Sequence, residues 1–90
     1  MLRTRLSKSA TRFIASRVPK HQRQIQVKIR ELGSDPMPPD TKAVKGSQES
    51  CSRVDVGEYR IIYKVADDVL EILLVGKRND DEVYREFGRR

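Results

Sequence analysis

The chain has 90 residues, of which 36% are Asp, Glu, Lys or Arg, and a formal net charge of +6. A chain this short forms one domain, spanning residues 1–90, and buries a modest share of its surface, so a second catalytic domain is excluded and a thin two-layer unit is expected. One cysteine, Cys51, excludes an internal disulfide, and Cys51 with one distant histidine, His21, makes no zinc site, so no metal or other cofactor is expected. No apolar run is long enough to span a bilayer, and the reduced cytoplasm is the expected compartment. Residues 1–17 are rich in Arg and Ser and free of acid, as in a mitochondrial transit peptide, but the stretch reads well as structure and is taken so.

The charge is unevenly placed. Residues 1–30 carry nine Lys or Arg and no acid, whereas residues 51–90 carry eight basic and nine acidic residues. A basic block of this kind suits a polyanion such as nucleic acid, an acidic protein partner, or a solvated face that touches nothing.

In chain order, "LRTRL" alternates apolar and basic residues and predicts a first strand at residues 2–6. Ser7 is placed to cap a helix whose Ala10, Phe13 and Ile14 share one face. Val18-Pro19 ends that helix and Pro19 opens a second, with Ile25, Ile29 and Leu32 as its apolar stripe and Gly33 as its end. The two read as an antiparallel pair. Residues 33–50 hold three of the four prolines and no periodicity, so they read as a surface loop.

From Arg53 to Gly76, three β-type runs are separated by Gly57-Glu58 and Asp67-Asp68, which predicts an antiparallel meander with two tight turns. Two-residue turns set the register: Val56 opposes Tyr59, Asp55 opposes Arg60, Val54 opposes Ile61, Arg53 opposes Ile62, Lys64 opposes Glu71 and Ile62 opposes Leu73. Tyr59, Ile61, Tyr63, Val65, Leu70, Ile72 and Leu74 then share the face that the helices cover. The opposite face bears Arg53, Asp55, Arg60 and Lys64, with Lys77 and Arg78 at its edge. A capping box from Asn79 to Glu82 predicts a last helix at about residues 80–87, with Phe87 anchored four residues after Val83. The fold class is therefore α+β: an N-terminal strand and a helix pair on an antiparallel sheet.

Several guanidiniums on an open sheet face with one nearby phenol, Tyr84, suit phosphate chemistry, since arginines clamp a phosphodiester and a tyrosine stacks on a base or moves a proton. The same arginines also suit plain solubility. His21 reads as a surface residue, Cys51 as a small buried or half-buried residue at the start of a strand, and Tyr59 and Tyr63 as core.

The stretches "SKSATRF", "PPDTKAVKG", "VGEYRIIYKV" and "VGKR" followed by "EVYREF" resemble the RelE/ParE superfamily of bacterial and archaeal toxins, in order and over essentially the whole chain. The spacing from Arg78 to Tyr84 is similar to the RNA-cleaving RelE branch; the ParE branch, which inhibits DNA gyrase, generally lacks that pair. The resemblance implies a ribosome-dependent endoribonuclease that cuts mRNA in the ribosomal A site, needs no metal and is neutralised by a RelB-like antitoxin. Arg60, Arg78 and Tyr84 are then the catalytic set, and Arg53, Lys45 and Lys77 are the substrate-binding cations. In one respect the chain departs from RelE: Asp55 stands where RelE carries a lysine proposed to assist proton transfer. Asp55 is open to three roles: a pin for the hairpin, a substitute general base, or a restraint on Arg60 that leaves a catalytically weak toxin which mainly binds its antitoxin.

Overall fold

The computed structural model describes residues 1–44 and 51–78. Lys45, Tyr84, Phe87 and the expected last helix lie outside the described residues. The elements are β1 (Arg3–Leu6), α1 (Lys8–Ala15), α2 (Pro19–Ser34), β2 (Lys42–Ala43), β3 (Ser52–Val56), β4 (Tyr59–Ala66) and β5 (Val69–Lys77). They form one five-stranded sheet in the order β1-β5-β4-β3-β2, with β1 parallel to β5 and every other pair antiparallel. The helices pack on one face of this mixed sheet, the α+β arrangement expected.

Local chemistry sets the first elements. The Ser7 hydroxyl accepts from the amide of Ala10 at 3.1 Å, capping α1, and donates to the carbonyl of Leu73 at 2.7 Å, tying the cap to β5. Pro19 opens α2 as its first residue. The second helix runs one residue past Gly33, which is buried and gives its carbonyl to the Leu2 amide at 2.9 Å. Gly33 is thus a packing contact with the N-terminal strand rather than the helix end expected.

The main core joins Ala10, Ile14, Ile25, Ile29 and Leu32 from the helices with Val54, Tyr59, Ile61, Tyr63, Leu70, Ile72 and Val75 from the sheet. All the β3/β4 pairs expected from the turn are present, including Asp55 opposite Arg60. The β4/β5 ladder keeps Lys64 opposite Glu71 but slips between Ile62 and Tyr63, so that Ile62 meets Leu74 rather than Leu73. Leu73 is the extra residue of a β-bulge, and its carbonyl is the one that takes the Ser7 hydroxyl. Beyond the bulge the alternation flips. Val75 fills the helix side in place of Leu74, and Leu73 and Leu74 join Ile62 and Cys51 in a second small cluster on the far face. That face is therefore part charged and part apolar.

Residues 33–50 are not loop throughout, because Lys42 and Ala43 form β2 against Arg53 and Ser52. The preceding turn is held by Tyr63, whose buried phenol donates to the Pro36 carbonyl at 2.6 Å and lies 3.2 Å from the Thr41 hydroxyl. Burial raises the pKa of this phenol, which keeps it a donor.

Gly57 opens the β3/β4 turn at φ +56°, and a Cβ there would lie 2.7 Å from Nε2 of Gln24. Gly57→Ala is expected to destabilise the protein by about 1–2 kcal/mol in urea unfolding, from left-handed strain plus this contact. Gln24→Ala should recover only the contact part in the double variant; a neutral Gly57→Ala would contradict this reading.

Candidate functional site

The far face of the sheet gathers its ionic groups by strand alternation. Arg53 and Asp55 on β3 and Arg60 and Lys64 on β4 point the same way, with Glu71 on β5 and Arg5 on β1 continuing the row. Among the described residues two ionic clusters result. In one, Glu71 lies 3.6 Å from the Lys64 ammonium and 3.5 Å from the Arg5 guanidinium. In the other, Arg60 donates from Nε to Oδ1 of Asp55 at 2.7 Å and from Nη2 to Oδ2 at 3.3 Å. This is a two-point guanidinium–carboxylate contact, the geometry that fits arginine to planar oxyanions.

More than one cation acts on Asp55. Its carboxyl is held below the ordinary carboxylate value first by the Arg60 hydrogen bond, against the opposing effect of burial, and then by the charges of Arg60, Arg53 and Arg78. Arg78 reaches this neighbourhood because it follows β5 directly, its amide bonded to the Glu58 carbonyl at 2.9 Å across the sheet end. Lys77 is placed differently: it pairs with Tyr59, whose ring is in the main core, so alternation puts Lys77 on the helix side.

A cavity of about 350 Å³ opens beside the pair, lined by Asp40, Lys42, Arg53, Val54, Asp55 and Arg60. Asp40 and Lys42 were invisible to sequence reasoning because they sit in and just after a proline-rich segment without periodicity. Only the pairing of Lys42 with Arg53 brings them to the site. A larger groove of about 520 Å³ runs between α2 and β3, lined by Lys20, Arg23, Gln24 and Val27 among others. In the smaller cavity the guanidiniums of Arg53 and Arg60 lie about one anion, Asp55.

His21 is not the surface residue expected. Its Nδ1 lies 2.6 Å from the Tyr59 hydroxyl and its ring meets the Tyr59 ring edge-on at 5.3 Å. This contact fastens the first turn of α2 to the start of β4, beneath the turn that carries the Arg78 amide bond. Cys51 is buried, as expected, in the second cluster. Among the described residues no three His, Cys, Asp or Glu side chains gather as a metal site, and no helix is long and apolar enough to cross a membrane.

A family model described as the ParE toxin of type II toxin-antitoxin systems, parDE, matches residues 5–82. The chain belongs to this toxin family. No curated protein sequence matches the toxin. Among solved structures it is similar to RelE in an archaeal RelE-RelB complex from Pyrococcus horikoshii, with 26% identity, a TM-score of 0.74, and coverage of 86% of this chain and 94% of that one. The isolated Escherichia coli RelE toxin aligns with 23% identity and a TM-score of 0.74 over 100% of this chain and 98% of that one. A free E. coli RelE mutant reaches a TM-score of 0.79 at 22% identity, covering 99% and 96%. The last two show that the toxin shares the RelE fold.

The Asp55–Arg60 pair gives the toxin a defined acid response. Because the folded carboxyl titrates below the ordinary value of 3.8, its stabilisation is fully present above that value and is lost as pH falls through the folded pKa. Wild type should exceed Asp55→Asn in unfolding free energy by about 0.2–1 kcal/mol at neutral pH, the range for a part-exposed cross-strand pair. This advantage should hold down to about pH 5 and shrink below pH 3.8. An advantage that instead grows in acid would contradict the assignment.

Proposed function

We propose that the toxin is a ribosome-dependent endoribonuclease that cleaves mRNA in the ribosomal A site. The observation that carries this reading is the convergence of Arg60, Arg53 and Arg78 on one anion position on the sheet face opposite the helices. In the proposed reaction the 2′-hydroxyl of one nucleotide attacks the adjacent phosphorus, the 5′-oxygen of the next nucleotide leaves, and the products are a 2′,3′-cyclic phosphate and a 5′-hydroxyl. Arg60 and Arg78 hold the phosphate and stabilise the charge that grows on its oxygens. Tyr84 stacks on a base or exchanges a proton with substrate. Arg53, with Lys45 and Lys77, draws in the RNA backbone, and Lys77 contributes through its field from the other side of the sheet. Asp55, acidified by its arginines, is a poor proton acceptor, so we assign it to restraint rather than to the general base.

The proposed partner is a RelB-like antitoxin, supported by the similarity to RelE in a RelE-RelB complex. An acidic, mostly disordered antitoxin that folds on binding would cover the arginine face or Arg78. The proposed location is the cytoplasm, with the translating ribosomes.

A second reading, inhibition of DNA gyrase, is favoured by the ParE description of the matching family. The two separate cleanly. The nuclease leaves cut mRNA in a translating extract and gyrase supercoiling unchanged; a gyrase inhibitor does the reverse, and that result would overturn the proposal.

A further inference from the structure

The Asp55 carboxylate occupies the point where the positive charge of the far face converges. Arg60 holds both its oxygens, Nε to Oδ1 at 2.7 Å and Nη2 to Oδ2 at 3.3 Å. Those two donors are the ones a guanidinium offers to two oxygens of a phosphate, so carboxylate and phosphate compete for a single fork. The exposures set the order of approach: the Arg60 side chain is 15% exposed and that of Asp55 is 38% exposed. A solute arriving from solvent or from the 350 Å³ cavity meets the carboxylate before it meets the guanidinium.

We infer that Asp55 is a resident anion at the phosphate site: it holds Nε and Nη2 of Arg60 in the resting toxin, and a phosphate group takes those two donors by displacing it. Asp55 therefore sets how tightly the site takes phosphate. The displaced carboxylate stays tethered to β3, next to the incoming anion, and its like charge opposes binding for as long as the ligand is held. Glu71 gives the contrast. It lies on the same face and is also paired, but with Lys64 and Arg5, and the four steps along β4 from Arg60 to Lys64 put its strand position about 13 Å from the fork's. That separation exceeds the roughly 8 Å screening length at physiological salt, so removing Glu71 changes net charge equally without clearing the fork.

The inference rests on the phosphodiester reading for its natural ligand, but its test needs only inorganic phosphate. Phosphate binding to the full chain would be titrated by phosphorus NMR at physiological salt, with thermal melts confirming that each variant is folded. Asp55→Asn is expected to bind about tenfold tighter than wild type, equivalent to about 1.4 kcal/mol. Glu71→Gln is expected to change affinity by less than about twofold. Asp55→Ser, which removes the charge and the reach together, should reproduce the gain and serves if the asparagine variant folds poorly. Equal affinity in wild type and the Asp55 variants, or a gain from Glu71→Gln as large as theirs, overturns the inference. A gain in phosphate affinity in a protein that leaves translated mRNA intact would keep the inference and sink the nuclease; mRNA cleavage with no gain would do the opposite.

Discussion

Arg60→Ala is expected to lower the rate of mRNA cleavage by about 10²–10³-fold, the usual loss when one preorganised donor to a developing oxyanion is removed. The fold should survive, because the Asp55–Arg60 contact is part-exposed and contributes only about 0.2–1 kcal/mol. Arg60→Lys separates charge from geometry. A lysine restores the positive charge but not the fork that holds two oxygens of one anion, so most of the loss should remain. Cleavage timed on a defined mRNA, with melting curves alongside, checks this; an alanine variant that is folded and cuts at the wild-type rate would remove Arg60 from the site.

The largest effect on stability is expected at Ile61. This side chain is 0% exposed, lies on the helix side of β4 and packs in the main core. Ile61→Ala should cost about 2–5 kcal/mol through lost burial and the cavity left behind. A 90-residue domain is stable by roughly 5–13 kcal/mol, so the variant gives up a large part of the total. Val65, four residues along the same strand and on the same face, is 42% exposed, and Val65→Ala should cost less than about 0.5 kcal/mol. Urea unfolding of the two variants would contradict the two-layer account if their effects were similar.

What could be read from the sequence follows from where local chemistry decides the outcome. Ser7 and Pro19 fix helix starts through their own side chains, and both are found as expected. The β3/β4 register was legible because a glycine-led two-residue turn joins strands whose apolar residues alternate, which leaves one pairing that buries one face. The same logic brought Asp55 to Arg60. It fails in "EILLVG", where every residue from Ile72 to Val75 is apolar and no alternation marks which side chain faces the helices. The bulge at Leu73 is settled by a tertiary contact, the Ser7 hydroxyl on its carbonyl. The helix-side core thus lost Leu74 and gained Val75.

The site was legible in the same uneven way. Arg53, Asp55 and Arg60 are local to one hairpin, and their convergence follows from its register. Asp40 and Lys42 join them only through a two-residue strand too short to carry a pattern. His21 and Tyr59 are 38 residues apart, and only the packing of α2 on the sheet makes them neighbours. Lys77 looked like a companion of Arg78, but the bulge changes the parity of the end of β5 and turns it to the opposite side.

Primer extension on a defined mRNA, incubated with the toxin in the presence and absence of ribosomes, tests the central claim most directly. New 5′ ends are expected within the translated region, only with ribosomes present, and they should fade with Arg60→Ala. An intact message in the presence of arrested translation or inhibited gyrase would contradict that claim.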